Sequence, residues 1–123
     1  MGIRTRLAVL ACKTSNAVLR RMGRGGTNLP GKIALKIDKD ILKELSRGVK
    51  VTVVTGTNGK TTTTALLGEI MKNYKESVFV VGNIGNPYTA AALEMREDSV
   101  AVAEMSSFQL ETIHEFRPKV SAI

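Results

Sequence analysis

The chain has one cysteine, three prolines, no tryptophan and an aromatic content of only 4%. A single thiol, Cys12, excludes an internal disulfide and any cysteine-based zinc site made by this chain alone, and it suits a reducing cytoplasm. No stretch approaches the ~20 consecutive apolar residues of a membrane-crossing helix. Residues 7–12 form an apolar run of six, short of the ~7–15 of a signal-peptide core. The sparse aromatics offer no stacking pattern, so the net charge of +7 does not argue for a nucleic-acid partner.

What is present is one domain's worth of chain, 123 residues with 43% hydrophobic and 24% charged content. The charge is uneven. Residues 1–50 hold twelve Lys and Arg against three acids, a balance of +9, and residues 51–123 hold six against eight, a balance of −2. A basic head thus precedes a near-neutral body.

In the head, Ile3, Leu7, Leu10, Thr14, Ala17 and Arg21 follow helical spacing, widened by Val18 and Leu19. Arg4, Arg6, Lys13, Arg20, Arg21 and Arg24 surround them. Two readings stand: a helix packed into a core with a solvated basic face, or a basic amphipathic helix making a peripheral contact with a membrane or a partner. Residues 23–31 read as a loop by their Gly and Pro content. Residues 33–37 alternate as a short strand, and residues 40–45 form a short helix capped by Asp38 or Asp40.

The body alternates. Apolar strands are expected at 51–55, 77–81 and 100–103, with a further one beginning at 120. Helices are expected at 61–74, with Leu66, Leu67, Ile70, Met71 and Tyr74 as its apolar face, at 86–95, and at 107–116, buried through Leu110, Ile113 and Phe116. Near-continuous apolar strands between helices predict an α/β fold, a parallel sheet with helices on both faces.

The strand at 51–55 runs into Thr55-Gly56-Thr57-Asn58-Gly59-Lys60-Thr61-Thr62. Strand, glycine turn, lysine, hydroxyl and helix, in that order, build a site for nucleotide phosphates. Gly56 and Gly59 let the backbone point its N–H groups at an anion. Lys60 brings a compact positive charge and Thr61 a hydroxyl for Mg²⁺. The full pattern has another glycine at position 54, where this chain has Val54. Two more clusters follow strands. Residues 82–87 read GNIGNP, where Asn83 could hydrogen bond a phosphate or substrate, or the segment is a plain turn. Glu104 directly follows the strand at 100–103, where a nucleotide-hydrolysing site places its Mg²⁺-holding acid, or where an acid caps the next helix. Ser106 and Ser107 are N-caps in either case.

GTNGKTTTT, GNIGNP and AEMSSFQLE, in this order and spacing, resemble the central ATP-binding domain of the Mur ligases over residues 50–123, the D-glutamate-adding branch most closely. The related folylpolyglutamate synthases carry GKGS where this chain has Lys60-Thr61-Thr62, which argues against folate. The resemblance implies ATP and Mg²⁺ as cofactors. It implies that Gly56, Thr57, Asn58, Gly59, Lys60, Thr61 and Thr62 hold the phosphates, and that Thr61 and Glu104 hold the metal. Asn83 would face nucleotide and substrate, Ser106 the substrate. Lys60 and Glu104 would be the catalytic pair. The substrates implied are a UDP-MurNAc-type precursor and D-glutamate, and the implied place is the cytoplasm.

Residues 1–48 are too short for the uridine-gripping domain of that branch. RTRLAVLA, GRGG and LPGKIALKID are instead similar to the head of MurT-type subunits, which work with a glutaminase in amidating lipid II at the membrane. The expected organisation is a basic head at 1–48, helix plus linker, and a partial central domain at 49–123. The metal-binding His segment, carbamylated lysine and amino-acid-binding domain of the family are not among these residues. The chain alone is therefore expected to bind nucleotide without turnover, and a MurT-like fragment or a non-catalytic nucleotide-binding module are the alternatives. His114, beside Glu115, is expected to be a surface residue and not a metal ligand.

Overall fold

The computed structural model describes residues 1–24 and 28–123. Three helices come first: α1 (Ile3–Arg21), α2 (Asn28–Ile37) and α3 (Ile41–Leu45). An alternation follows: β1 (Lys50–Val54), α4 (Lys60–Lys72), β2 (Val78–Gly82), α5 (Tyr88–Ala91) with a 3₁₀ turn (Ala92–Glu94), β3 (Val100–Glu104), α6 (Ser107–Leu110) and β4 (Val120–Ala122). The four strands form one sheet in the order β2-β3-β1-β4, every pair parallel. The fold is α/β, as the apolar strands between helices predict.

Register fixes which side chains share a face. Val51 and Phe79 lie beside Ala101, and Val53 and Val81 beside Ala103. This face carries the main core, shared with Ala8, Val9 and Cys12 of α1, Ala34 of α2, Ile41 and Leu45 of α3, and Tyr88 and Ala90–Ala92 of α5. The next residue along each strand points the other way, toward α4. Val54, Glu104 and Gly82 form one row of that second face at the carboxyl edge of the sheet.

Three expectations about the helices are corrected. Residues 33–37 belong to α2 and are not a strand. Five alternating residues cannot separate the two periodicities, while Pro30 suits a first helical turn, and Ala34 is fully buried in the shared core as α2 packs against α1. Within the loop expected at 23–31, residues 25–27 lie outside the described ones and Asn28 already opens α2.

The second correction concerns faces. α1 buries Thr5, Ala8, Val9 and Cys12, and leaves Ile3, Leu7, Leu10 and Val18 exposed. α4 buries Thr64 and Gly68, while Leu66, Ile70 and Tyr74 are exposed. In both, small residues let backbones approach closely, and the large apolar side chains are left outside. A Cβ at Gly68 would stand 2.3 Å from Val80 Cγ2, which is how close α4 lies to β2.

The third concerns length. α6 ends at Leu110 instead of running to 116. The Thr112 hydroxyl donates to the Gln109 carbonyl at 2.9 Å, and the backbone N–H of Thr112 also turns to that carbonyl, so the chain tightens out of the α-helix. Phe116 is still buried, with Leu110 and Ile113 partly so. The helix expected at 86–95 is likewise only α5 and its 3₁₀ turn, with Pro87 at the N-cap.

Polar contacts also fasten the head's helices to one another and, through Cys12, to the body. Thr5 donates to Asp38 Oδ2 at 2.7 Å, and Asp38 Oδ1 accepts the Asp40 N–H at the start of α3. The Cys12 thiol meets the Thr89 hydroxyl at 2.7 Å. Burial pushes that thiol's pKa up, with the Thr89 contact opposing. Among the described residues, no helix is long and apolar enough to cross a membrane.

Candidate phosphate and metal site

The loop between β1 and α4 starts from Val54, the buried last residue of its strand, at the position where the longer pattern has its first glycine. Gly56 has φ +123° and Gly59 φ +76°. Gly59 is the N-cap of α4 in the left-handed region, where a side chain is costly. Lys60 Nζ folds back across the loop, donating to the carbonyls of Gly56 at 2.8 Å and Thr57 at 3.3 Å. The cation is thus held over the turn by two carbonyls that a phosphate could replace. Thr57 and Asn58 are exposed on the loop, and Thr61 and Thr62 in the first turn of α4. The first-turn N–H groups of a helix and its dipole are what an anion would meet here.

Glu104 reaches the same place from β3. Because β1 and β3 are neighbours, Glu104 lies beside Val54 and on the α4 face. The residue is buried, and its Oε2 accepts the Thr61 hydroxyl at 3.0 Å. A hydroxyl and a carboxylate at this separation are the oxygen donors Mg²⁺ takes when phosphates and water complete its shell. Among the described residues no group of three or more His, Cys, Asp and Glu could hold a metal unaided. One hydroxyl and one carboxylate are a donor set that phosphate oxygens and water could complete around a cation. His114 is exposed and pairs with Asp40 at 3.5 Å.

The second loop is fastened to the first strand pair. Asn83 N–H donates to Glu104 O at 3.1 Å, and Gly82 N–H to Asn86 O at 2.8 Å. Asn83 Oδ1 accepts Gln109 Nε2 at 3.1 Å, while Gln109 Oε1 accepts the backbone N–H of Ser106 at 2.8 Å and its hydroxyl at 3.2 Å. Asn83 and Ser106 are therefore joined through Gln109, a residue that motif reading did not single out. Its signal was present as the three-residue spacing of a capping box from Ser106.

Beside this network lies a cleft of about 710 Å³ between α2 and the carboxyl edge of the sheet. Lys32, Lys36 and Lys39 line the α2 side, and Glu104, Ser106 and Gln109 the other. Tyr88 is also in its wall. Its buried hydroxyl has no hydrogen-bond partner among the described residues, and burial raises its pKa well above the ordinary range.

Glycine loop, buried acid and second glycine loop meet at the carboxyl edge of one parallel sheet, which makes this an α/β domain with a candidate phosphate site at that edge. Residues 54–123 match the family model described as the Mur ligase middle domain, more than half of the chain, and the chain belongs to the Mur ligase family. Its relatives include three enzymes named UDP-N-acetylmuramoylalanine--D-glutamate ligase. That of Lachnoclostridium phytofermentans is 63% identical over 84 residues, 68% of this chain and 18% of the relative. That of Lachnospira eligens is 66% identical over 74 residues, 60% of this chain and 16% of the relative. That of Clostridioides difficile is 63% identical over 70 residues, 57% of this chain and 16% of the relative. The chain spans less than a fifth of the length of these curated relatives.

Proposed function

We propose that this chain supplies the ATP-handling part of an acid–amino-acid ligase of peptidoglycan precursor synthesis, acting in the cytoplasm. The observation that carries the reading is the Thr61–Glu104 contact at 3.0 Å beside the Lys60 loop. Gly56, Thr57, Asn58, Gly59, Lys60, Thr61 and Thr62 cradle the phosphates, and Thr61 and Glu104 hold the metal. Mg²⁺, when bound, neutralises phosphate charge. Lys60 leaves its two carbonyls and takes the γ-phosphate, holding it in line with the acceptor.

The name shared by the relatives supports the choice of substrates. A carboxylate oxygen of a UDP-N-acetylmuramoyl-L-alanine-type substrate attacks the γ-phosphorus, and ADP leaves. The amine of D-glutamate then attacks the acyl carbon, phosphate leaves and an amide remains. Asn83 and Ser106, joined by Gln109, face that substrate. The adjoining cleft, with three lysines along one wall, supports an anionic substrate there. In this reading residues 1–48 are the head and residues 49–123 the partial central domain.

Calorimetric titration of Mg-ATP into the wild type and into Lys60→Ala tests this. Wild type is expected to bind. The variant should bind about ten- to a hundredfold more weakly, the scale of a lost charged contact of about 1.5–3 kcal/mol. Equal binding by the two, with both folded, would remove Lys60 from the site.

A further inference from the structure

The ligase chemistry leaves the outer face of α1 without a role. Thr5, Ala8, Val9 and Cys12 turn inward to the core. At about 100° per residue, Ile3, Leu7, Leu10, Thr14 and Val18 fall on the opposite side. They form a stripe in the open: Ile3 is 77% exposed, Leu7 53%, Leu10 59% and Val18 55%. Cations frame the stripe. Arg6 and Lys13 run along one flank, Arg4 lies on the other, and Arg21 and Arg24 close the C-terminal end. Residues 1–24 contain no acid. Among the described residues, none of these five cations is in an ion pair. Arg20 alone turns to the body, donating to Gly85 O at 3.0 Å.

We propose that α1 is an interfacial anchor that lays this outer stripe into the headgroup region of an anionic lipid bilayer while its inner face stays docked on the core. Charge complementarity selects the occupant. The stripe is a convex ridge one helix wide, framed on both flanks by unpaired cations, which suits a flat, negatively charged, deformable surface. Apolar side chains enter the interface as the arginines meet phosphates, and the inward face need not open. The loop after β2 would then be tied to the anchored helix by the Arg20–Gly85 contact, and the rest of the domain by the shared core.

Sedimentation of the full chain with phosphatidylglycerol-containing vesicles, against pure phosphatidylcholine vesicles, tests the proposal. Binding is expected to the anionic vesicles only. It should weaken by at least about tenfold in Leu7→Asp/Leu10→Asp, and again as salt is raised from ~0.1 to ~0.5 M. Both leucines are exposed, so this variant should keep the Cys12 protection against alkylation that marks a docked α1. Cys12 should also stay protected on vesicles. Undiminished binding by the leucine variant would reduce the effect to general charge attraction and overturn the proposal. So would absent binding by a folded wild type, or rapid Cys12 alkylation on vesicles, which would mean that the helix peels away. A dimer that forms without lipid and is lost in the leucine variant would assign the stripe to a second copy instead.

Discussion

A Cβ built on Gly82 would stand 2.1 Å from the carbonyl oxygen of Glu104, and the residue's φ is +94°. Gly82 is thus required twice, by conformation and by the neighbouring strand that carries the metal-site acid. Gly82→Ala is expected to lower stability by about 2–3 kcal/mol in urea denaturation. Gly68 makes a subtler case. Alanine in a helix interior ordinarily gains about 1 kcal/mol over glycine. Here its Cβ would overlap Val80 Cγ2, so the sign should reverse to a net loss of about 1–3 kcal/mol. In a Val80→Ala background the ordinary gain should return, and urea midpoints of the four proteins measure the coupling. At this scale the phosphate loop was legible because its parts lie within ten residues and act through backbone geometry. Thr61 and Glu104 were legible singly, but their contact spans 43 residues and depends on β1 and β3 being neighbours. Gln109 was passed over because its link to Asn83 exists only once the loop after β2 and α6 meet.

The elements of the body were legible to within a residue or two where long apolar strands met turn signals, as at β1, β2 and β3. Helical faces were not. Hydropathy weights Leu and Ile, whereas α1, α2 and α4 dock through Ala8, Cys12, Ala34, Thr64 and Gly68, residues small enough to bring backbones together. The segment after α6 is held differently, by a pairing of Lys43 on α3 with Glu115. Hydrogen bonding to Lys43, with their Coulomb attraction, lowers the Glu115 pKa below the ordinary carboxylate value. A carboxyl depressed in the folded state stabilises above its unfolded pKa and loses that contribution as pH falls through the folded one. The difference in urea midpoint between wild type and Glu115→Gln should therefore be present near pH ~7 and vanish well below ~4. High salt at neutral pH should shrink the same difference, since both groups are exposed.

For the whole molecule, charge and family match both divide the chain near residue 50, yet the core runs across that line. Val51, Val53, Val81, Ala101 and Ala103 have as their cover α1, α2, α3 and α5. Without residues 1–48, one entire face of the sheet would lose most of that cover. Burial of side chains such as Val9 and Ile41 contributes about 1.5–3 kcal/mol each, against a typical domain stability of about 5–15 kcal/mol. Removal of residues 1–48 is therefore expected to abolish cooperative unfolding, and with it Mg-ATP binding, although every residue proposed for the phosphates and the metal would remain. Thermal denaturation of the 49–123 piece beside the full chain, each with and without Mg-ATP, measures this. A piece that still unfolds cooperatively and is stabilised by nucleotide would make the head an appendage whose contacts with the sheet contribute little. Loss of both would make α1–α3 the second wall of the ligase domain's own core. The basic helix would then be a structural part of the nucleotide site's support as well as its outward face.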